Sequence, residues 1–383
     1  MSSRLLYLVT EDWYFISHRL PMARAARDAG YEVHVACRVD RHADEIAAEG
    51  FTLHALPWSR SSRGAATLAG EVRAVRRLYR ALRPSLVHQV ALKPVILGSL
   101  ASTGLRIGTV NSVAGLGSGF IARGLVAALR RQGLSSALKA LLNRPLAITV
   151  VQNPDDRAAL EGLGVRPDRL ALIPGSGVDV DLLRPLREPD GPITVGFAGR
   201  LLADKGVAPL VEAAGLLRRD RPDLRLLLAG TPDPSNAASI TPDEIERWRG
   251  LPGVELMGHV SDIASLWARC HIAVLPSRRE GLPKALLEAA ALGRPLVATD
   301  VPGCREVARD GLNAFLVPVD DAPALAQALR RLADDPALRH RFAAAGRSLV
   351  EREFSAGAIG RQTVDLYDRL SATCGIAPPR RSL

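Results

Sequence analysis

Residues 279–288 read REGLPKALLE, a stretch in which Glu280 and Glu288 flank a glycine, a proline and a lysine. The apolar run HIAVL shortly before it predicts a buried strand. Pro283 suits the first turn of a helix, where its missing N–H would have no partner, and Gly293 suits the position after the helix end. A strand, a polar turn and a helix in this order are the repeating unit of an α/β sheet.

The two glutamates have a structural interpretation and a chemical one. On a single helix, eight residues would separate them by roughly 12 Å at ~1.5 Å per residue. This exceeds the roughly 5 to 9.5 Å between the carboxyl groups of a glycosidase pair. Taken alone, Glu280 would cap the turn and Glu288 would be a solvated helix residue, so the choice depends on the neighbouring motifs.

Strand and helix patterns alternate along the chain of 383 residues. Strand-like RLLYLV, EVHVAC, TLHALP and SLVHQV alternate with helical patterns, the first of which begins at His18, and the alternation resumes at ITVGFAGR. Residues 174–192 are rich in proline, glycine and aspartate and predict a linker. We therefore expect doubly wound α/β domains over residues 1–180 and 181–355, then a C-terminal helix and a disordered tail, IAPPRRSL, over 356–383. Because open α/β sheets bind ligands at the carboxyl ends of their strands, we expect the site in a cleft between these domains.

Composition places the chain among globular proteins, with 47% hydrophobic and 23% charged residues. Its four cysteines form no CxxC pair, which argues against a disulfide framework or a zinc site and fits a reducing cytoplasm. The first apolar run, residues 5–9, is too short for a signal peptide, and no stretch reaches the roughly 20 apolar residues that span a bilayer. We expect a cytoplasmic protein without a transmembrane helix.

The net charge of +10 is concentrated in one region. Residues 60–144 contain 14 Lys and Arg but a single acid, Glu71. Two basic amphipathic helices are predicted there, EVRAVRRLYRALRP with Arg73, Arg76, Arg77 and Arg80, and ARGLVAALRRQGLSSALKALLNR over 122–144. Such helices can lie on an anionic membrane surface, although a solvated arginine-rich face is the alternative. With 4% aromatic residues and no recognisable binding motif, we expect no nucleic acid partner.

A second strand-to-helix turn, in VGFAGRLLADKG, carries two cations. Gly199 ends the predicted strand, Arg200 follows at once, and Lys205 precedes the next helix. Both side chains are well placed to meet a diphosphate, and Gly199 permits a close backbone approach. A solvated loop with incidental basic residues is the structural alternative.

The helix that starts at Pro283 supplies a complementary anion site. Free N–H groups, from Leu282 or from Lys284 and Ala285, lie at the positive end of the helix dipole. Glu288, further along, could accept hydrogen bonds from vicinal ribose hydroxyls. The two turns together then predict a nucleoside diphosphate with a sugar beyond the phosphates.

The motifs GFAGRLLADKG, LLLAGTPDP, VELMGHVSD and VLPSRREGLPKALLEAAALGRPLVATDVPGCREVARDGLNAFLVP, over about 190–355, resemble the donor half of retaining nucleotide-sugar glycosyltransferases of family four. This resemblance implies the GT-B fold, two Rossmann-like domains that face a central cleft. It implies that Arg200 and Lys205 neutralise the leaving diphosphate, that Glu280 holds hydroxyls of the donor sugar, and that no metal is required. It also implies a set of donor-binding positions: Gly199, His259, Val260, Gly281, Leu282, Lys284 and Glu288.

In the first half, TEDWYFISHRLPMARAARDAGYEVHVA, VHQVALKPVILGSLA and VNSVAGLGSGF resemble bacterial members that extend O-antigen, capsule or glycan chains on undecaprenyl diphosphate. Many family members carry a catalytic-site histidine after a strand here, whereas TVNSVAGLG offers Asn111 and Ser112. His18 is therefore the candidate catalytic residue of this half. Ser17, Lys93, Asn111 and Ser112 are the candidate acceptor-binding residues.

The resemblance implies transfer of a sugar from a nucleoside diphosphate donor, such as a UDP-N-acetylhexosamine, to a lipid-linked saccharide with retention of configuration. The enzyme would lie on the inner face of the bacterial cytoplasmic membrane, docked through its basic first half. A nucleotide-sugar epimerase or a phosphorylase could share the two-domain architecture. A non-catalytic sugar-nucleotide binding protein is the remaining alternative.

Overall fold

The computed structural model describes residues 3–58, 64–113, 135–234, 236–375 and 379. The chain forms two compact units, one from Met1–Ser176 together with Ala356–Leu383, the other from Gly177–Ser355. The first half of the second predicted basic helix and nearly all of the tail IAPPRRSL lie outside the described residues.

The described part of the first unit contains a seven-stranded parallel sheet with the order β3-β2-β1-β4-β5-β6-β7. Its strands are β1 (Arg4–Glu11), β2 (Glu32–Arg38), β3 (Thr52–Ala55), β4 (Leu86–Val90), β5 (Gly108–Ser112), β6 (Ala147–Val151) and β7 (Leu170–Leu172). The labelled helices are α1 (Asp12–His18), α2 (Leu20–Asp28), α3 (Ala43–Ala48), α4 (Ala65–Leu82), α5 (Leu92–Ala101) and α6 (Pro154–Gly162), and residues 135–142 are also helical. The central strands are buried on both faces, as continuous apolar runs predict for a parallel sheet.

The second unit contains a parallel sheet whose order, among the described residues, is β10-β9-β8-β11-β12-β13. Its strands are β8 (Thr194–Ala198), β9 (Arg225–Ala229), β10 (Val254–Gly258), β11 (Ile272–Leu275), β12 (Leu296–Thr299) and β13 (Ala314–Val317). Its helices are α7 (Val207–Arg218), α8 (Pro242–Arg249), α9 (Ile263–Ala268), α10 (Lys284–Ala291), α11 (Pro302–Val307), α12 (Ala322–Asp334) and α13 (Pro336–Glu353). The predicted doubly wound α/β class is confirmed.

The last helix, α14 (Ala356–Thr373), packs in the first unit against α2. The buried hydroxyl of Tyr367 lies 2.8 Å from the Tyr7 hydroxyl and 2.5 Å from Nδ1 of His88. Tyr31 donates a hydrogen bond of 2.7 Å to Asp368. The sequence prediction assigned this helix to neither domain, because contacts with β1 and β4 have no local signature.

One predicted helix boundary differs from the structure. The first helix was expected to begin at His18, but His18 is the last residue of α1, and α2 starts at Leu20 with Pro21 in its first turn. Asp12 explains the early start, because its buried carboxylate accepts backbone N–H groups from Trp13 and from residues 40–42 across the sheet edge. By contrast, Gly293 follows the end of α10 with φ of 75°, as predicted.

Candidate active site

The second unit has a topological switch point between β8 and β11. From β8 the sheet grows towards β9 in one direction and towards β11 in the other. The loops that leave these two strands therefore diverge at the carboxyl edge and leave a crevice, which is the usual ligand position in open α/β sheets. Residues 199–206 follow β8 and residues 276–283 follow β11.

These two loops are held together by backbone contacts. Gly206 has φ of 69°, and a Cβ at this position would lie 2.0 Å from the carbonyl oxygen of Pro276. A side chain is excluded there both by the contact and by the backbone conformation. The N–H of Arg278 also donates to the carbonyl of Asp204 at 2.8 Å. These contacts hold the two loops against each other.

Lys205 and Glu280 meet across this crevice. Nζ of Lys205 lies 2.5 Å from Oε1 of Glu280, and the Ser277 hydroxyl donates to the same oxygen at 2.6 Å. The hydroxyl of Thr299 in turn donates to the carbonyl of Ser277. The Lys205 and Glu280 side chains are 23% and 10% exposed, so the pair is shielded from bulk water but open to a ligand.

Arg200 lies at the same edge, in contact with a different carboxylate. Its guanidinium pairs with Asp233 at 2.7 Å. Gly199 precedes it, and a Cβ on Gly230 would lie 1.8 Å from the Gly199 carbonyl oxygen, so the backbones after β8 and β9 touch. Arg200 and Lys205 were expected as a pair of cations facing one diphosphate; in this structure each contacts its own acid.

The turn before α10 supplies backbone groups and no capping side chain. Pro283 precedes the first helical residue, Lys284, and makes no side-chain cap. Leu282 and Gly281 lie in the turn itself. Gly303, in α11, packs so closely on this turn that a Cβ would lie 2.5 Å from the Gly281 carbonyl oxygen. The amino end of α10 therefore lies beside Glu280 on a turn that α11 supports.

Glu288 is half-buried, one turn into α10. Its carboxylate lies 3.2 Å from Nζ of Lys284, and its side chain is 14% exposed. Burial raises the pKa of Glu288, and the Lys284 ammonium opposes this rise only in part. A solvated helix residue, the structural alternative, is therefore wrong for Glu288.

This burial predicts a pH-dependent stability difference for Glu288→Gln. Because the pKa of Glu288 is raised on folding, the native state holds its proton more tightly, and the charged form is destabilising as pH rises through the native pKa. We expect the variant to have a larger free energy of unfolding than the wild type at pH 8, with the difference shrinking below about pH 4.5. Urea unfolding at both pH values measures this, and Glu212→Gln at an exposed site of α7 is the control. Equal stability at pH 8 would contradict the assignment.

The two predicted base-binding residues follow β10 at the same edge. The carbonyl of Gly258 accepts a hydrogen bond of 2.7 Å from the N–H of Gly230. His259 is exposed and Val260 is half-buried. The loops after β8, β9, β10 and β11 thus bring together the predicted donor-binding residues of the second unit.

The predicted residues of the first unit lie in three places. Ser17 and His18 end α1, where the His18 ring stacks on Tyr14 with centroids 4.3 Å apart. Lys93 lies in the first turn of α5, after β4. Asn111 and Ser112 lie in β5.

The two β5 residues are both in the core. Asn111 is fully buried, and its side-chain amide has no hydrogen-bond partner among the described residues. The Ser112 hydroxyl lies 2.6 Å from Nε2 of His88, so it is engaged inside the unit. Burial keeps His88 neutral, because it lowers the pKa of this imidazole well below its usual range.

Three contributors to the site were missed in the sequence. Ser277 orients Glu280, Asp233 holds Arg200, and Gly303 supports the turn before α10. Each lies inside a quoted motif, namely VLPSRREG, LLLAGTPDP and DVPGC. Their partners are distant in sequence, so spacing alone did not reveal the contacts.

Comparison with known proteins identifies both halves of the chain. A family described as "Glycosyl transferase 4-like" matches residues 4–153, and "Glycosyl transferases group 1" matches residues 192–335. Together the two ranges cover well over half of the chain. EpsD of Bacillus subtilis strain 168, provisionally named a glycosyltransferase, is 28% identical over 96% of this chain and 97% of its own length.

A second relative is the N,N'-diacetylbacillosaminyl-diphospho-undecaprenol alpha-1,3-N-acetylgalactosaminyltransferase of Campylobacter jejuni. It is 26% identical over 93% of this chain and 98% of its own length. Among solved structures, HepE of Anabaena in complex with UDP and glucose superposes with a TM-score of 0.76 at 19% identity, covering 95% of this chain and 99% of HepE. The parallel sheets, the paired family matches and this full-length likeness agree: the chain belongs to the family-four type of glycosyltransferases with the GT-B fold.

Proposed function

We propose that this glycosyltransferase moves a sugar from a uridine diphosphate donor, such as a UDP-N-acetylhexosamine, to a lipid-linked saccharide, with retention of configuration and without a metal ion. The observation that carries the proposal is the Lys205–Glu280 contact of 2.5 Å at the switch point, beside the amino end of α10. A cation and helix N–H groups suit a diphosphate, and a carboxylate suits the hydroxyls of a sugar.

The reaction exchanges two bonds at the anomeric carbon of the donor sugar. An acceptor hydroxyl forms the new bond to this carbon as its bond to the β-phosphate oxygen breaks, and the hydroxyl proton leaves with the departing diphosphate. Lys205 and Arg200 stabilise the negative charge that develops on that diphosphate, and Glu280 accepts hydrogen bonds from the donor sugar. Attack from the face that the leaving group vacates retains the configuration, so we assign no nucleophile.

The other donor contacts follow from the position of each group at the edge of the sheet. Glu288 accepts hydrogen bonds from the ribose hydroxyls, and the backbone at His259 and Val260 holds the base. Leu282, Gly281 and the N–H groups at Lys284 bind phosphate oxygens. Uracil as the base draws support from the UDP complex of HepE.

The acceptor and membrane parts of the proposal concern the first unit. The Campylobacter relative is named for an undecaprenol-linked acceptor, which supports a lipid-linked saccharide here. Of the arginine stripe on α4, Arg76 donates to the carbonyls of Ala101 and Thr103, whereas Arg73, Arg77 and Arg80 are exposed. We assign these three to anionic lipid on the inner face of the cytoplasmic membrane. No helix in the described ranges combines the length and the hydropathy that crossing a bilayer requires.

A donor panel tests this function. Nucleotide release is measured from UDP-, GDP-, ADP- and dTDP-sugars, with and without bacterial lipid extract, in the presence of EDTA. We expect release from one UDP-sugar that depends on the extract. An epimerase would isomerise its donor without the extract, a phosphorylase would require phosphate, and a non-catalytic protein would bind a donor without releasing nucleotide. Any of these results would contradict the proposal.

A further inference from the structure

Glu71 is the single acid among residues 60–144, and its carboxylate is buried. Its side chain is 5% exposed, and Nζ of Lys93, 20% exposed, lies 2.8 Å away. On the exposed face of this arginine-rich segment, a carboxylate could pair with several arginines while it stays hydrated. Instead, α4 directs Glu71 inward, where burying two charges costs desolvation free energy that their attraction only partly offsets.

The Glu71 side chain lines a cavity of about 290 Å³ between α4 and the segment that follows β3. Other lining residues are Trp58, Thr67, Gly70 and Arg77. Trp58 is 4% exposed, and its indole N–H has no hydrogen-bond partner in the described parts of the chain. A buried indole N–H normally donates to an acceptor. A ligand in the cavity could supply the acceptor that the Trp58 N–H lacks.

The cavity lies at the carboxyl edge of the first sheet. Trp58 follows β3 and Lys93 follows β4, and Nζ of Lys93 lies 5.8 Å from the centroid of the Trp58 ring. The first sheet has its own switch point, between β1 and β4, and ligands of parallel sheets bind at this edge. The residues around the cavity are therefore on the side of the unit where substrates are expected.

We propose that this cavity binds one neutral sugar ring of the acceptor glycan, an assignment that rests on the proposed function. Its volume is near the lower end of the roughly 300–1,000 Å³ of small-molecule sites, which suits a single ring. A carboxylate only accepts hydrogen bonds and an indole N–H only donates them, whereas sugar hydroxyls do both. A phosphate is the poorer ligand, because it would compete with the Glu71 carboxylate for the Lys93 ammonium. Glu71, already neutralised by Lys93, and Trp58 thus select a hydroxyl-rich, uncharged group.

Gly70 offers a way to fill the cavity without disrupting the fold. A Cβ at Gly70 would meet no heavy atom within 4 Å, so the space beside it is open. Gly70→Leu places a side chain in the cavity and replaces a glycine inside α4 with a better helix former. Gly215→Leu is the matched control, because Gly215 is an exposed glycine inside α7 with the same free space.

The probes are methyl glycosides of glucose, galactose, mannose, N-acetylglucosamine and N-acetylgalactosamine, titrated into the full chain and followed by ligand-observed NMR. We expect at least one glycoside to bind the wild type and Gly215→Leu with equal affinity and to show no binding to Gly70→Leu. Trp58→Phe keeps an aromatic six-membered ring but loses the indole N–H, so we expect binding weaker by roughly two- to tenfold. If no glycoside binds the wild type, or if Gly70→Leu binds as tightly as the control, the assignment is wrong.

Transfer assays with lipid extract separate this proposal from the one on which it rests. Wild-type transfer without glycoside binding would refute the cavity assignment and leave the proposed function intact. Glycoside binding that depends on Gly70, without wild-type transfer from any donor, would refute the proposed function and with it the acceptor role of the cavity.

Discussion

Replacing Lys205 by methionine is expected to lower kcat by about 10²- to 10³-fold, the usual effect of losing one preorganised group that stabilises transition-state charge. The ammonium lies 2.5 Å from Glu280 in the shielded crevice, where its charge is weakly screened. The diphosphate gains negative charge as the sugar leaves, so the loss falls mainly on kcat and less on the KM for the donor. Steady-state nucleotide release at saturating acceptor measures both constants.

A second variant separates this effect from a loss of structure. Lys205→Met leaves the Glu280 carboxylate without its cation, at a cost of about 1–3 kcal/mol in stability. Lys205→Met combined with Glu280→Gln removes that uncompensated charge, so we expect the melting temperature to recover while activity stays low. Lys139→Met, at an exposed site of the first unit, is the control. A Lys205→Met enzyme with kcat within threefold of the wild type would refute the role of Lys205.

Gly303→Ala is expected to reduce activity by about 100-fold, the order of loss that a displacement of ~1 Å near a reacting group can cause. The added Cβ would lie 2.5 Å from the Gly281 carbonyl oxygen and 2.6 Å from that of Glu280, so the turn that carries the Glu280 carboxylate has to move. This turn also leads into the phosphate-facing end of α10. Initial rates and donor affinity, measured on the same preparation, report the displacement.

The control for this substitution is another buried helical glycine. A Cβ at Gly346 in α13 would meet nothing closer than 3.5 Å, an ordinary contact. Gly346→Ala should keep full activity and at least the wild-type melting temperature, because alanine favours a helix interior. Gly303→Ala with wild-type activity would show that the turn tolerates the displacement, and the supporting role of α11 would be wrong.

Parts of this fold were predictable because residues that start or end helices stand at the element boundaries. Pro283 and Gly293 bracket α10, and the apolar run before them has no competing interpretation as a helix. The early start of α1 at Asp12 was missed because it depends on the Asp12 carboxylate, which binds backbone groups 28 to 30 residues away.

In the candidate site, too, some features were predictable from local sequence and others depended on distant contacts. The motifs placed Lys205 and Glu280 at the ends of their strands, but their contact joins residues 75 positions apart and depends on the sheet order. Similarly, charge counting singled out Glu71 as a lone acid without revealing that it faces inward. The local sequence predicts where a residue lies along a strand or helix. Which side chains contact each other depends on tertiary packing, and the spacing of residues in the sequence does not reveal it.

The return of α14 to the first unit has a consequence for biosynthesis. The first unit contains both Met1–Ser176 and the helix that begins at Ala356, so the second unit is in effect inserted within it. During translation, the N-terminal segment leaves the ribosome well before α14. Until α14 is made, Tyr7 lacks its partner Tyr367, and the surface that buries Ile359 stays uncovered. Because domains generally fold as they emerge, Gly177–Ser355 can fold to completion first, and the N-terminal segment waits for the last helix. We therefore expect the second unit to complete its folding before the first, although synthesis of the first begins earlier.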